Sequence, residues 1–164
     1  MSVRLNSPAT PADWLRARAL VEEYAASLGV DLSFQCFDRE VENLAIEYGP
    51  PGGAFLLAEE DGIAVGCAGL RRSAEGVAEM KRLYAVPAVR GRGVGRLLAE
   101  GILRAARELG YARVRLDTLP TMGEAQALYR SLGFRPAAPY RFNPVAGTVF
   151  LELDLGRGAG PPPS

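Results

Sequence analysis

The segment Arg90-Gly91-Arg92-Gly93-Val94-Gly95-Arg96 is the stretch whose residue types and spacing point most directly to chemistry. Its glycines stand where an apolar strand pattern ends and a helical one begins. Backbone N–H groups at a helix start have no internal acceptor, and the helix dipole adds partial positive charge, so such a turn can hold phosphate or pyrophosphate. The bland alternative is a tight strand-to-helix turn whose glycines serve geometry alone, and a lone glycine cluster favours it. Two nucleotide sites fail on spacing. A dinucleotide fingerprint needs a third glycine where Arg96 stands, and a P-loop needs a Lys-Ser/Thr pair that is missing.

Other groups able to move protons are few. The chain has no His, which excludes Ser-His-Asp and Cys-His nucleophile systems, removes the commonest transition-metal ligand, and leads us to expect no metal site. Carboxylate, Tyr and backbone remain. Glu79 lies in the apolar run Val77 to Val86, where burial is expected to raise its pKa and suit it to proton abstraction. It reads equally well as a solvent-facing residue beside Ala78 and Lys81. Tyr129 shares a helical stripe with Ala125, Leu128 and Leu132, the pattern of a core aromatic. Asp38, Glu40 and Glu42 read as the solvated face of a helix.

The elements that must position these groups follow from periodicity. A helix is predicted from about Ala12 to Leu28, stopped by Gly29, and a second from Phe37 to Tyr48, broken by Gly49-Pro50-Pro51. Ala54 to Glu59 and Ile63 to Leu70 read as an antiparallel hairpin turned by Asp61-Gly62. Val77 to Val86 is a further strand, ended by Pro87. From Val94 an apolar stripe through Leu98 and Ile102 makes a helix that Gly110 closes, and Ala112 to Thr118 alternates as a strand with one buried face. Strand, helix and strand imply a right-handed parallel crossover. Thr121 to Glu124 reads as a capping box before a short helix to Leu132, and Thr148 to Leu155 as a last strand. The predicted fold is α+β, a mixed and mostly antiparallel sheet with one central parallel βαβ unit, in a single domain over residues 1–155 with a disordered tail at 156–164.

Acidic and basic residues cancel at 19 each, so no overall field draws nucleic acid or an anionic membrane, and any anion site is local. Apolar runs fall short of the ~20 residues that span a bilayer, and no charged leader precedes an apolar segment. Cys36 and Cys67 read as buried free thiols rather than a disulfide. These features together point to the cytoplasm.

In this order of elements the chain resembles the GCN5-related N-acetyltransferase (GNAT) family, in which a strand leads through an Arg/Gln-x-x-Gly-x-Gly/Ala turn into a helix. Arg90, Gly93 and Gly95 match the turn, Arg82 to Pro87 resembles the strand before it, and Ala125 to Phe134 resembles the later Leu-Tyr-x-x-x-Gly-Phe segment. The resemblance implies acetyl-CoA as co-substrate, with its pyrophosphate on the amides of Gly91, Arg92, Gly93, Val94, Gly95 and Arg96 and its pantetheine arm along Leu83, Tyr84 and Ala85. It implies Glu79 as a general base acting through water and Tyr129 as the acid that protonates the departing thiolate. Many members carry Asn where this chain has Met122, leaving Thr118, Thr121 or nothing to replace that contact.

The implied activity is transfer of an acetyl group to a primary amine of a small molecule or peptide by direct attack in a ternary complex. A homodimer is the default assembly. A non-catalytic acyl-CoA-binding regulatory module is the alternative, and the presence of both Glu79 and Tyr129 weighs against it. The identity of the acceptor lies in loops and early helices that the sequence does not decode.

Overall fold

A computed structural model describes residues 2–29 and 37–156. The expectations for Cys36 and for the tail beyond Gly156 lie outside the described residues.

Helix α1 (Pro11–Leu28) starts at a capping box that the sequence reading missed. Thr10 Oγ1 accepts from the Asp13 N–H at 3.1 Å, and Asp13 Oδ2 accepts from the Thr10 N–H at 3.3 Å. Its buried side, Ala17, Leu20 and Val21, faces the sheet. The predicted second helix is two short ones, α2 (Phe37–Glu42) and α3 (Leu44–Glu47), because Asn43 at φ −131° leaves the helical region between them.

Strand β1 (Arg4–Asn6) is an edge strand too short to signal itself in sequence. Strands β2 (Ala54–Glu60) and β3 (Ile63–Ala74) form the expected hairpin, its turn set by positive φ at Asp61 (52°) and Gly62 (78°). Then come β4 (Val77–Ala85), a 3-10 turn at Pro87–Val89, and α4 (Val94–Glu108), which buries Val94, Leu98 and Ile102. Strand β5 (Arg113–Thr118), helix α5 (Gly123–Ser131), the two-residue β6 (Arg135–Pro136) and β7 (Val149–Asp154) complete the chain. The predicted capping box before α5 does not form: Met122 is the N-cap residue, and no side chain caps the helix.

The strands make one sheet in the order β1-β2-β3-β4-β5-β7-β6, antiparallel except for the parallel pair β4 and β5. One face carries α4 and α5 over a core including Leu70, Met80, Leu98, Leu116 and Leu151. The other carries α1 to α3 over Phe55, Leu57, Cys67 and Tyr84.

Two local features open the sheet. Strands β4 and β5 pair only from Val77 opposite Arg113 to Glu79 opposite Arg115, after which β4 follows β3 and β5 follows β7. Register on β3 also slips between Gly69 opposite Lys81 and Cys67 opposite Tyr84, so Arg82 and Leu83 together face Ala68. Arg82 takes the positive φ of that bulge, 61°. The strands therefore part like a V beyond Glu79.

Candidate active site

A cleft of 880 Å³ occupies the open V and reaches the start of α4, lined among others by Leu83, Tyr84, Ala85, Arg90, Gly93 and Gly95. Gly91 and Val94 also line it, whereas Arg92 and Arg96 do not. Those two side chains turn away, Arg92 to Glu60 and Arg96 to Ser131 and Glu100. Their backbone remains part of the turn. Among the described residues, none of the backbone N–H groups from Gly91 to Arg96 reaches an acceptor, and the first closed bond of α4 runs from Leu97 N–H to Gly93 O at 3.0 Å. Six unpaired donors at one helix start are a feature able to hold an anion.

Gly91 and Gly93 sit at φ 81°, and a Cβ built on either would meet nothing within 4 Å. The space above the turn is thus open to a ligand. Gly95 has ordinary helical backbone, and a Cβ there would lie 3.6 Å from Leu128. Arg90 braces the turn by donating from Nε to Ala85 O at 3.1 Å, its guanidinium 5.7 Å from the Tyr84 ring centre.

Glu79 closes the β4–β5 pairing at the point of the V, is 1 % exposed and does not line the cleft. Its carboxylate accepts from Arg71 Nε at 3.3 Å, from the Tyr140 hydroxyl at 2.7 Å and from Arg141. Burial pushes this carboxyl up, but the charges of Lys81, Arg141 and Arg71 and the Tyr140 hydroxyl outweigh it and hold the group below the usual carboxylate range. The upward shift expected from the apolar strand pattern is therefore reversed, because the donors come from β3 and from the loop before β7.

Tyr129, on α5, is buried against Phe134, ring centres 5.7 Å apart. Its hydroxyl bonds no other described residue. Burial pushes the phenol well above its ordinary pKa, so it is a proton donor at any physiological pH. It lines a smaller pocket of 30 Å³ that shares Leu83 and Met122 with the large cleft and also contains Lys81, Asp117 and Thr118. Burial, with Arg82 adding to it, pushes Lys81 down to about 7.

The residues that sequence reasoning missed are polar groups joined across long loops. Glu40, expected on a solvated face, is 2 % exposed and accepts from Arg82 Nε at 2.7 Å, from Arg82 Nη2 at 3.0 Å and from the Tyr48 hydroxyl at 2.8 Å. This pair clamps the β4 bulge to α2. Tyr140 and Arg141 had no signal beyond lying in a Pro-rich loop. Lys81 had one, as the single lysine of the chain.

The model of the acetyltransferase (GNAT) family matches residues 17–134. The chain belongs to the GNAT family. It is an acyltransferase, and a binding-only module is not favoured. An uncharacterised N-acetyltransferase of Schizosaccharomyces pombe is 38% identical over 158 residues, covering 95% of this chain and 97% of that protein. The uncharacterised N-acetyltransferase YjgM of Escherichia coli is 34% identical over 134 residues, covering 80% and 79%. The crystal structure of a GNAT acetyltransferase from Staphylococcus aureus shares the fold, with TM-score 0.79 and 19% identity over 94% of this chain and all of that one. The Thermoplasma acidophilum PaiA N-acetyltransferase, solved with coenzyme A, gives TM-score 0.72 and 18% identity over 94% and 99%. In this GNAT domain the glycine turn, the bulged β4 and the open V are thus parts of one acyltransferase scaffold. Among the described residues, no helix is long and apolar enough to cross a membrane.

Proposed function

We propose that this protein transfers an acetyl group from acetyl-CoA to the primary amine of an acceptor by direct attack in a ternary complex. The observation that carries the reading is the set of unpaired N–H groups from Gly91 to Arg96, opening onto a cleft large enough for an extended cofactor arm. A relative of the same fold was solved with coenzyme A. The thioester supplies an activated acyl carbon, so that a C–N bond forms as the C–S bond breaks. The turn holds pyrophosphate, and the free edge of Leu83 to Ala85 aligns the pantetheine arm as a strand would. Glu79 receives the ammonium proton through water, and Tyr129 donates its hydroxyl proton to the departing sulfur.

Acetyl-CoA at a hundred times its Kd should stabilise the fold by about 2.7 kcal/mol, which raises Tm by about 5 to 11 °C for a chain of this size. Gly95→Val is the clean test, since Gly95 lines the cleft and has helical backbone, and a Cβ there would meet only Leu128 at 3.6 Å. Gly93→Val adds the strain of a β-branched residue at φ 81°. Scanning calorimetry of Gly95→Val should give the parent Tm without ligand and no rise with acetyl-CoA. A full rise in the variant would remove the turn from the reading.

Because Glu79 is held below the usual carboxylate range, it is already ionised across pH 6 to 9. Its activity as a base is lost only as pH falls through that depressed pKa. Glu79→Gln should lower kcat by about 10- to 100-fold, evenly from pH 6 to 9, without moving the pH profile. Parent-like kcat in this variant would assign proton removal elsewhere.

A further inference from the structure

The small pocket at the narrow end of the V is separate from the pyrophosphate turn, and its lining carries both signs of charge. Lys81 comes from β4 and is 5 % exposed, and half-buried Asp117 comes from β5. Asp117 accepts one long hydrogen bond, from Asn143 Nδ2 at 3.3 Å. The next residue, Thr118, leaves the other face of β5, and its hydroxyl, in a residue only 5 % exposed, has no hydrogen-bond partner among the described residues. An orphan buried hydroxyl that lines a pocket marks a place where a ligand completes the bonding. Arg82, also in the lining, is committed to Glu40 by two hydrogen bonds and is not available to a ligand.

The pocket, 30 Å³ in volume, has room of its own for only a few atoms and shares Tyr24, Leu28, Leu83 and Met122 with the large cleft, so it takes a small polar group whose parent molecule extends into that cleft, and no folded chain. Lys81, at about 7, is charged in part of the molecules at neutral pH; a carboxylate beside it draws it to the charged form, whereas a bare amine gains nothing from it and a bare carboxylate also meets Asp117. A group with both charges satisfies both walls. Tyr129 lines the same pocket, so an amine held there is next to the proposed proton donor for the thiolate.

We infer that this pocket takes the zwitterionic head of a free amino acid, ammonium toward Asp117 and carboxylate toward Lys81, with Thr118 as an added hydrogen-bonding partner. The amino nitrogen becomes the acetyl acceptor once the ammonium has lost a proton to Glu79 through water, the C–N bond forming as the C–S bond breaks and Tyr129 protonates the sulfur. This inference rests on the acetyl-transfer reading and narrows its acceptor from any primary amine to amino acids with a free carboxylate.

The test pairs each of the proteinogenic amino acids with its C-terminal amide. CoA release is followed on the full chain with a thiol reagent, and binding to the protein saturated with CoA is followed by calorimetry. At least one amino acid should be acetylated with kcat/KM about 10²-fold above its amide, since a site built to pair a charged group rejects the analogue lacking it. Lys81→Met should bring that ratio to within about threefold, chiefly through KM, and Thr118→Val should raise KM while leaving the fold's circular dichroism unchanged. Amides acetylated as well as acids, or a ratio that survives Lys81→Met, would overturn the inference while acetyl transfer stood. Binding of acids but not amides, with no compound acetylated, would uphold the pocket and defeat the transfer reading. Failure of every acid to bind would overturn the pocket.

Discussion

Replacing Tyr129 with Phe is expected to lower kcat for acetyl transfer by about 10²- to 10⁴-fold while leaving acetyl-CoA affinity within about twofold. The ring is packed against Phe134 and keeps its place in the variant. Only the hydroxyl is lost, and that hydroxyl bonds no described residue, so its removal leaves no protein group unsatisfied. The free protein should therefore melt within a degree or two of the parent. Burial keeps the phenol protonated throughout the working pH range and also makes it a weaker acid than a free tyrosine, so its proton moves only as negative charge develops on the sulfur. Turnover and melting measured on one preparation decide the matter. Intact turnover would make Tyr129 a wall of the pocket and nothing more.

Glu40→Ala is expected to cost about 3–5 kcal/mol of stability, a fall in Tm of about 6 to 20 °C, because it strands the buried Arg82 guanidinium. The cost falls on the bulge, whose Arg82 already takes a backbone conformation rare for a side-chain-bearing residue. Replacing both partners, Glu40→Leu with Arg82→Met, should recover much of the loss, since an apolar pair leaves no orphan charge. The clamp also has a pH signature. Burial pushes the Glu40 carboxyl up, but the Arg82 hydrogen bonds and charge more than offset it and leave it below the ordinary 4.5. Its contribution is therefore complete above about pH 4.5 and is lost as pH falls through the depressed value. Thermal melts from pH 7 to pH 3 should show this loss in the parent and not in the double variant.

The parts of the fold that were legible are those that local chemistry determines. The Asp61-Gly62 turn needs positive φ at adjacent residues, and the stripe from Val94 through Ile102 leaves one helix face to bury. The glycine turn was legible for the same reason, as six residues whose backbone N–H groups the start of α4 leaves unpaired. What escaped was long-range. Glu40 looked like a surface residue because its partner Arg82 lies 42 positions on. Glu79 looked like a carboxylate in apolar surroundings because Arg71, Tyr140 and Arg141 reach it from other elements. The failed capping box at Thr121 and the unseen one at Thr10 have one lesson: four residues of motif propose a cap, but it closes only where the motif's first residue is the N-cap, as extended Thr10 is (φ −124°, ψ 161°) and Thr121, displaced by Met122, is not. The pocket of Lys81, Asp117 and Thr118 exists only where two strands diverge, and no periodicity marks a divergence.

The short parallel ladder between β4 and β5 makes the sheet a hinged pair of leaves. One leaf is β1 to β4 and the other β5 to β7, joined by the pairing of Val77 to Glu79 with Arg113 to Arg115 and by the α4 crossover. Cooperativity in a sheet is carried by continuous ladders, and a seam of three residue pairs is where it is weakest. A molecule lying in the V bonds to both leaves at once. The core under α4 runs beneath both leaves and ties them together, and the binding free energy of such a molecule would add to that tie at the seam, where the ladder is shortest.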